Sequence, residues 1–201
     1  MGFSSGYRGI QGGSVQTAYT DQPGVGVPGM LPYASDNVLM DNMLVNEANG
    51  IAAGRGVVRI PGTADIGNLQ RPHSTIKLPD ASTIAGDFVG IVLFDEAMQS
   101  DSNGVPGWAD GRNARVLRPH RAGGRVYVKA KQAIALMDAV YMVTIAPTDA
   151  SYAAGEFCTS SLGGGSAGTS VHLTNARWET AADSGDVAIM ELLGDYVTTD
   201  S

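Results

Sequence analysis

From residue 36 onward, short apolar runs follow one another, and each is closed by glycine or proline. The runs are rich in β-branched residues, a composition typical of strands separated by turns. In the run 125–130, Val126 and Val128 alternate with Tyr127 and Lys129, so one side of that strand can face a core and the other water. The pattern predicts eight strands, at residues 38–45, 56–60, 87–94, 125–130, 139–145, 156–159, 171–178 and 187–193.

Eight such strands predict a mainly β fold, with a single β-sandwich or β-barrel domain over residues 36–201. The first strand has an alternative, because the apolar residues of 38–45 also fit a short amphipathic helix that Asp36 could cap. Two stretches without an apolar period predict flexible loops. One covers about 99–111 and carries Trp108, and the other, about 160–170, has the composition of a linker.

The first 35 residues contain eight glycines and three prolines and show no apolar period. Such a segment cannot bury a face of its own, so it predicts an extended N-terminal arm that is ordered only against something else. Two interpretations stay open, a terminus without fixed contacts and an arm that docks on a partner or a neighbouring subunit. Apolar side chains are spaced through the arm like anchors, at Tyr7, Ile10, Tyr19, Val25, Val27, Met30, Leu31 and Tyr33.

Charge and cysteine content restrict the partners and the compartment. The 201 residues carry 13 basic and 20 acidic side chains, a net charge of −7, which disfavours binding to nucleic acid phosphates. The single cysteine, Cys158, cannot form an internal disulfide. No uncharged apolar run approaches 18 residues and the start lacks an apolar targeting region, so we expect a soluble protein without membrane contact that is not exported.

Basic residues are concentrated in one part of the chain. Seven of the 13 lie between residues 112 and 131 with no acid among them, whereas residues 132–201 contain nine acids and one base, Arg177. The segregation has two interpretations, cross-strand pairing inside the fold or an arginine-rich surface that meets acidic groups of a partner or of the next copy. Arginine suits the second role because its planar fork binds carboxylates with two hydrogen bonds.

Candidate catalytic residues are few and scattered. The histidines, His73, His120 and His172, show no metal-ligand spacing, and no phosphate-binding loop is present. Cys158 lies in a predicted strand and is interpreted as a buried core residue. Asp95 and Glu96 are adjacent, so on a strand they would point to opposite faces. We therefore expect no enzyme, no cofactor and no metal site.

Several motifs in order resemble a known family. They are IAAGRGVVR at 51–59, GDFVGIVLFDEA at 86–97, GRVYVKA at 124–130, MDAVYMV at 137–143 and NARWETAADSGDVAIMEL at 175–192. Preceded by an irregular arm, this series is similar to the structural cement proteins that decorate the capsids of tailed bacteriophages. One position departs from the family pattern, because Met137 precedes Asp138 where the family has Gly-Asp, and this leaves the turn type open.

The resemblance implies a non-enzymatic virion protein on the outer surface of the capsid, assembled in the host cytoplasm. Its expected partners are the major capsid protein and further copies of itself, often as a homotrimer that clamps neighbouring subunits against internal DNA pressure. The family offers no catalytic residues to carry over. From the arm and the arginine-rich segment we predict ten partner-binding residues: Tyr7, Ile10, Tyr19, Val27, Trp108, Arg112, Arg115, Arg118, Arg121 and Arg125.

Two other functions are kept beside this one. The first is an outward-facing virion adhesin that binds host glycans through Trp108 and tyrosines on loops, although a chain with only 13 aromatic residues offers few stacking platforms. The second is an enzyme that acts on cell wall or polysaccharide, for which the sequence supplies no convincing acid and base.

Overall fold

The computed structural model describes residues 26–32, 39–60, 75–95, 98–100, 106–119, 123–149 and 151–194. These residues form a mainly β structure with two short 3-10 helices, Ala85–Asp87 and Gly165–Ala167, and this confirms the predicted fold class. The strands are β1 (Met40–Val45), β2 (Ile51–Ala52), β3 (Gly56–Arg59), β4 (Thr75–Lys77), β5 (Phe88–Val92), β6 (Gln99–Ser100), β7 (Pro106–Trp108), β8 (Asn113–Leu117), β9 (Gly124–Lys129), β10 (Ala139–Ile145), β11 (Phe157–Cys158), β12 (Thr169–Trp178) and β13 (Val187–Leu192).

Five strands close into a small barrel in the order β1-β4-β3-β5-β8. Strand β5 has both faces buried, which explains its continuous apolar run: Val89 and Val92 belong to the barrel's own core cluster, while Phe88 and Ile91 belong to a second cluster. A Cβ at Gly90 would lie 2.0 Å from the carbonyl oxygen of Leu117, so glycine is required for the close approach of β5 and β8.

A five-stranded antiparallel sheet, in the order β11-β10-β12-β13-β9, covers the outside of the barrel. Its inner face supplies Phe157, Met142 and Trp178 to the second cluster, where they meet side chains of β5. The sheet curves so that its two edge strands approach each other. Gln132, just after β9, donates a hydrogen bond to Thr159, just after β11. The two edges are not joined by a strand ladder, and a seam remains between them.

The stretch 99–111 differs from its prediction as a loop. It contains β6 and β7, which pair with each other and, through Ile51 opposite Trp108, with β2. Strands of two or three residues with glycine and proline carry no periodic signal, so only their partners reveal them. The stretch 160–170 holds the second 3-10 helix and the start of β12 at Thr169.

All eight predicted strands occur, with end points shifted by a few residues. The helix alternative for 38–45 is wrong, because Met40–Val45 forms β1 and pairs antiparallel with β8 and parallel with β4. Strands β2, β4, β6, β7 and β8 were not predicted. Strand β8 was missed because its residues NARVL read as part of the charged segment, although Ala114 and Val116 point into the barrel.

The described end of the arm packs on its own domain. The Gly29 N–H donates to the Tyr127 carbonyl at 2.7 Å, and the Tyr127 N–H donates to the Met30 carbonyl at 2.9 Å, so residues 26–32 line the outer edge of β9. Tyr127 is buried, although the alternation predicted it on the solvent side. A Cβ at Gly26 would lie 2.2 Å from its ring. The boundary between the arm (1–35) and the domain (36–201) stays a prediction, since residues 33–38 lie outside the described residues.

Candidate functional site

The predicted partner-binding residues fall into two groups. Tyr7, Ile10, Tyr19 and Arg121 lie outside the described residues. The other six are placed by the fold on three separate parts of its surface: Val27, Trp108, Arg112, Arg115, Arg118 and Arg125. These residues were predicted together because they are close in sequence. In the structure, their positions depend on the strand or turn that carries each of them.

Arg115 and Arg118 lie on the outer side of the barrel. In β8, Ala114 and Val116 are buried, so Arg115 points outward, where its Nη1 lies 3.4 Å from Asp95 Oδ2. Arg118 follows the strand, and its Nη1 donates to Asp41 Oδ2 of β1 at 2.9 Å. Both arginines are paired within the chain and are also partly exposed, so a partner can still reach their guanidinium groups.

Arg112 lies at the turn that leads from β7 into β8. Its carbonyl accepts a hydrogen bond from the Val45 N–H at 2.8 Å, which fixes the backbone while the side chain is exposed. Among the arginines of the segment 112–131 that the structure describes, Arg112 alone has no ion-pair partner. Its charge is therefore the one most available to another molecule.

Arg125 belongs to a network on the outer face of the five-stranded sheet. It stands opposite Glu191 of β13, and Glu191 stands opposite Arg177 of β12, so one carboxylate lies between two guanidinium groups. Glu191 is only 7% exposed, with Arg125 Nη2 at 3.5 Å and Arg177 Nη2 at 2.5 Å. Glu179 completes the network at 3.1 Å from both arginines. The hydrogen bond to Glu191 raises the pKa of Arg177. The group has two charges of each sign.

Val27 and Trp108 differ in how far they project. Val27 is 40% exposed in the segment that lines β9. Trp108 is half-buried, packs against the barrel core cluster, and its Nε1 lies at hydrogen-bonding distance, 3.4 Å, from the Leu93 carbonyl. The half-buried ring thus contacts its own domain, and its contact with a partner stays a prediction.

A cleft of about 400 Å³ lies at the seam between β9 and β11 and was not predicted. The turn between β2 and β3 supplies Arg55, the end of β9 supplies Lys129 and Lys131, and Glu156 precedes β11. Sequence alone shows Lys129 and Lys131 two residues apart at a strand end. Nothing in the sequence places Arg55 beside them, because that meeting depends on the curvature of the sheet.

Glu156 is the centre of the contacts in this cleft. Its Oε1 lies 3.1 Å from Arg55 Nη2, and its Oε2 lies 3.5 Å from Lys131 Nζ and accepts the Ala153 N–H at 2.8 Å. Arg55 also donates from Nη1 to the Ala154 carbonyl at 2.9 Å. Burial lowers the pKa of Arg55, and the nearby carboxylate of Glu156 partly opposes that effect.

The described part of the chain contains one cysteine, Cys158, and one histidine, His172. Its residues include no group of three or more His, Cys, Asp or Glu side chains placed to hold a metal ion. Cys158 is buried, and desolvation raises the pKa of its thiol to about 11, which agrees with a core role. His172 stacks on Tyr141 with ring centroids 4.8 Å apart. Over the same residues, no helix is long and apolar enough to cross a bilayer.

Residues 15–193 match the family described as structural cement protein (E217 gp24/Pam3 gp6). This chain belongs to that family. A chain of the solved structure titled "The capsid of Myoviridae Phage XM1" superposes with a TM-score of 0.58 over 90% of this chain and 97% of that one, at 14% sequence identity, which shows a shared fold. A comparison with curated proteins finds no match. A structural cement protein has a structural role in the phage virion in association with capsid proteins, so an interaction surface is the site of interest.

The turn at residues 135–138 lies where the sequence of this cement protein departs from the family pattern. Met137 has φ +67°, the left-handed region that favours glycine, in the turn closed by the Asp138 N–H to the Ala135 carbonyl. A positive φ at the third turn residue alone is the type II pattern. Leu136 and Met137 are 61% and 59% exposed. A left-handed methionine thus replaces the glycine expected there.

Proposed function

We propose that this cement protein binds the outer surface of an assembled phage head and bridges neighbouring subunits of the major capsid protein. The observation that carries the proposal is the family match over residues 15–193, which covers nearly the whole chain. The exposed cationic positions on the barrel support it, with Arg112 unpaired among the described residues and Arg115 and Arg118 still accessible.

Such binding stabilises the shell without any reaction. A ligand that binds only the assembled state favours that state by mass action, so the shell resists internal pressure better when it is decorated. We further propose a homotrimer, assembled with the head in the host cytoplasm. Three linked contacts raise the effective concentration of each, so modest contacts per subunit give a durable attachment.

The arm is the second contact in the proposal. Residues 26–32 are fixed along β9, and the Phe94 N–H adds a hydrogen bond to the Gly29 carbonyl at 2.9 Å. The preceding segment with Tyr7, Ile10 and Tyr19 therefore starts from a defined point on the domain, from which we expect it to reach a neighbouring subunit. Removal of residues 1–25 keeps the contacts of Gly29 and Met30 and tests the arm without opening the β9 edge.

Co-sedimentation with purified, expanded, empty heads tests the proposal. The full chain should sediment with the heads and raise their melting temperature in scanning calorimetry, and the free protein should have the mass of a trimer. The variant lacking residues 1–25 and the variant Arg112→Glu should bind more weakly, with a steeper salt dependence for the full chain than for Arg112→Glu. Arg59→Glu is the matched control, because Arg59 is exposed on the barrel and forms no ion pair with any residue that the structure describes.

Heads whose composition and melting temperature are indifferent to the protein would contradict the proposal, and full binding without residues 1–25 would contradict the role of the arm. The adhesin alternative gains no support from the geometry, because Trp108 is packed on its own barrel. A glycan array with the full chain should accordingly show no saturable signal that depends on Trp108.

A further inference from the structure

The cleft at the seam between β9 and β11 holds more positive than negative charge. Among its described lining residues, Arg55, Lys129 and Lys131 face one carboxylate, Glu156, which leaves an excess of two positive charges. Both oxygens of Glu156 are already engaged, Oε1 by Arg55 and Oε2 by Lys131 and the Ala153 N–H. Lys129 is exposed and has no ion pair among the described residues.

The register of the sheet explains why Lys129 stays unpaired. On β9, Arg125 stands opposite Glu191, whereas Lys129 stands opposite Val187. A cross-strand carboxylate therefore neutralises the first cation and none neutralises the second. The charge of Lys129 is therefore left over because the register of the strands places no carboxylate opposite it.

The rest of the cleft is mostly apolar. Phe157, Pro28, Ala52, Ala53 and Pro106 contribute its walls, and the volume of about 400 Å³ is in the range of small-molecule and side-chain pockets. The side chains of Arg55 and Glu156 are only 23% and 12% exposed, so water is partly excluded there. In such surroundings, charge-assisted hydrogen bonds to an incoming carboxylate are stronger than on an open surface.

We propose that this cleft binds an extended peptide segment that carries a glutamate or aspartate beside an apolar side chain. The carboxylate is held by Lys129 and Lys131, and the apolar neighbour packs on Val27 and Pro28 at the mouth of the cleft. That the segment comes from the major capsid protein rests on the proposed function, whereas the chemistry of the cleft does not. The apolar walls favour a peptide with an apolar side chain over a nucleic acid backbone or a bare inorganic anion.

A labelled, capped heptapeptide with alternating valine and glutamate tests the cleft, with the glutamine version as its control. Fluorescence anisotropy with the full chain should show saturable binding of the glutamate peptide and at least about tenfold weaker binding of the glutamine peptide. Lys129→Gln should weaken binding about fivefold. Arg59→Gln, which removes the same charge from an exposed position outside the cleft, should leave binding unchanged.

Glu156→Gln is the decisive variant. Among the described residues that line the cleft, it removes the carboxylate that competes with the peptide, so it should tighten binding, although it deprives Arg55 of a partner. Circular dichroism and the unfolding midpoint show whether Glu156→Gln remains folded. If this variant does not fold, the peptide affinity of Lys129→Gln tests the proposal instead. Equal effects of Lys129→Gln and Arg59→Gln, or displacement of the peptide by millimolar inorganic phosphate, would overturn the proposal.

Binding to heads separates this inference from the function on which it rests. If the full chain fails to bind heads while the glutamate peptide still binds, the proposed function is wrong and the cleft remains a peptide site. If the chain binds heads but no peptide, the cleft assignment is wrong. If both hold, excess glutamate peptide should lower head binding of the full chain and should have less effect on Lys129→Gln.

Discussion

The outer face of the sheet around Arg125 and the cleft around Lys129 use the same basic segment with opposite results. On the sheet face, Arg125 and Arg177 meet Glu179 and Glu191, and the charges balance. Four residues further along β9, Lys129 faces no carboxylate across the strands. A dense run of positive charge in a sequence therefore says little about binding until the strand register shows which cations are neutralised.

The segregation of charge along the chain has a mainly intramolecular cause. Acids of the C-terminal half lie on β13, just after β12 and before β11. The pairing of β9 with β13 brings Glu191 to Arg125, and the pairing of β13 with β12 brings Glu179 close to the same arginine. Glu156 reaches Lys131 differently, across the seam between the two edges of the sheet, where no strand pairing joins them. The cations that remain without an ion pair, Arg112 and Lys129 among the described residues of this segment, are the better candidates for external contacts.

Replacement of the central carboxylate of the sheet network should have the largest effect. Glu191→Gln leaves Arg125 and Arg177 without their shared charge, at a position only 7% exposed. Loss of one partner of a buried pair costs about 3–5 kcal/mol and of an exposed pair about 0–1 kcal/mol. Because the two arginines are partly exposed and can be rehydrated, we expect a loss of about 2 kcal/mol in urea unfolding.

Glu179→Gln is the matched control for this prediction. It lies in the same network, contacts both arginines at 3.1 Å, and is more exposed than Glu191. Its loss should lower the free energy of unfolding by under about 1 kcal/mol. Equal losses for the two variants would mean that Glu191 is not the centre of the network, and the contrast between the sheet face and the cleft would weaken.

The sequence predicted the parts of the fold that have their own hydrophobic pattern. All eight predicted strands form, since each buries an apolar face in one of the two core clusters. It could not predict β2, β6 and β7, which are two or three residues long and exist through pairing with one another. Closure of the barrel and curvature of the sheet are long-range properties, so the meeting of Arg55 with Lys131 through Glu156 had no local signal.

The candidate site could be predicted only in part, because its contacts also join residues that are distant in sequence. The segment 112–131 is basic by sequence, and its described arginines lie on strands and turns. Both interpretations of its charge had to stay open, because the partners of Arg115 and Arg118 are Asp95 and Asp41, which are distant in sequence. The aromatic anchor Trp108 was placed on a loop, and its packing against the barrel depended on the unpredicted pairing of β2 with β7.

A substitution away from both charged regions should change stability without changing charge. Met137→Gly replaces a residue at φ +67°, where a side chain costs about 1–2 kcal/mol relative to glycine. The greater backbone freedom of glycine in the unfolded chain offsets part of this stabilisation. We expect a net stabilisation of about 1 kcal/mol in urea unfolding.

The peptide affinity of the cleft should be unchanged in Met137→Gly, because residue 137 does not line it. Met137→Ala is the control, since alanine keeps the left-handed strain and removes only the long side chain. Should the alanine variant be stabilised as much as the glycine variant, exposure of the methionine and not its backbone conformation would be the cause.

We expect the smallest effects on stability from substitutions of two arginines of the barrel, Arg118 and Arg112. Arg118→Gln removes a partly exposed pair with Asp41 and should cost about 0.5 kcal/mol, whereas Arg112→Gln removes no ion pair among the described residues and should cost less than can be measured by urea unfolding. In co-sedimentation with heads the order should reverse, because Arg112 has its charge free for the shell while Arg118 already shares its charge with Asp41. A larger binding loss for Arg118→Gln would show that pairing inside the chain does not decide which cations serve the interface.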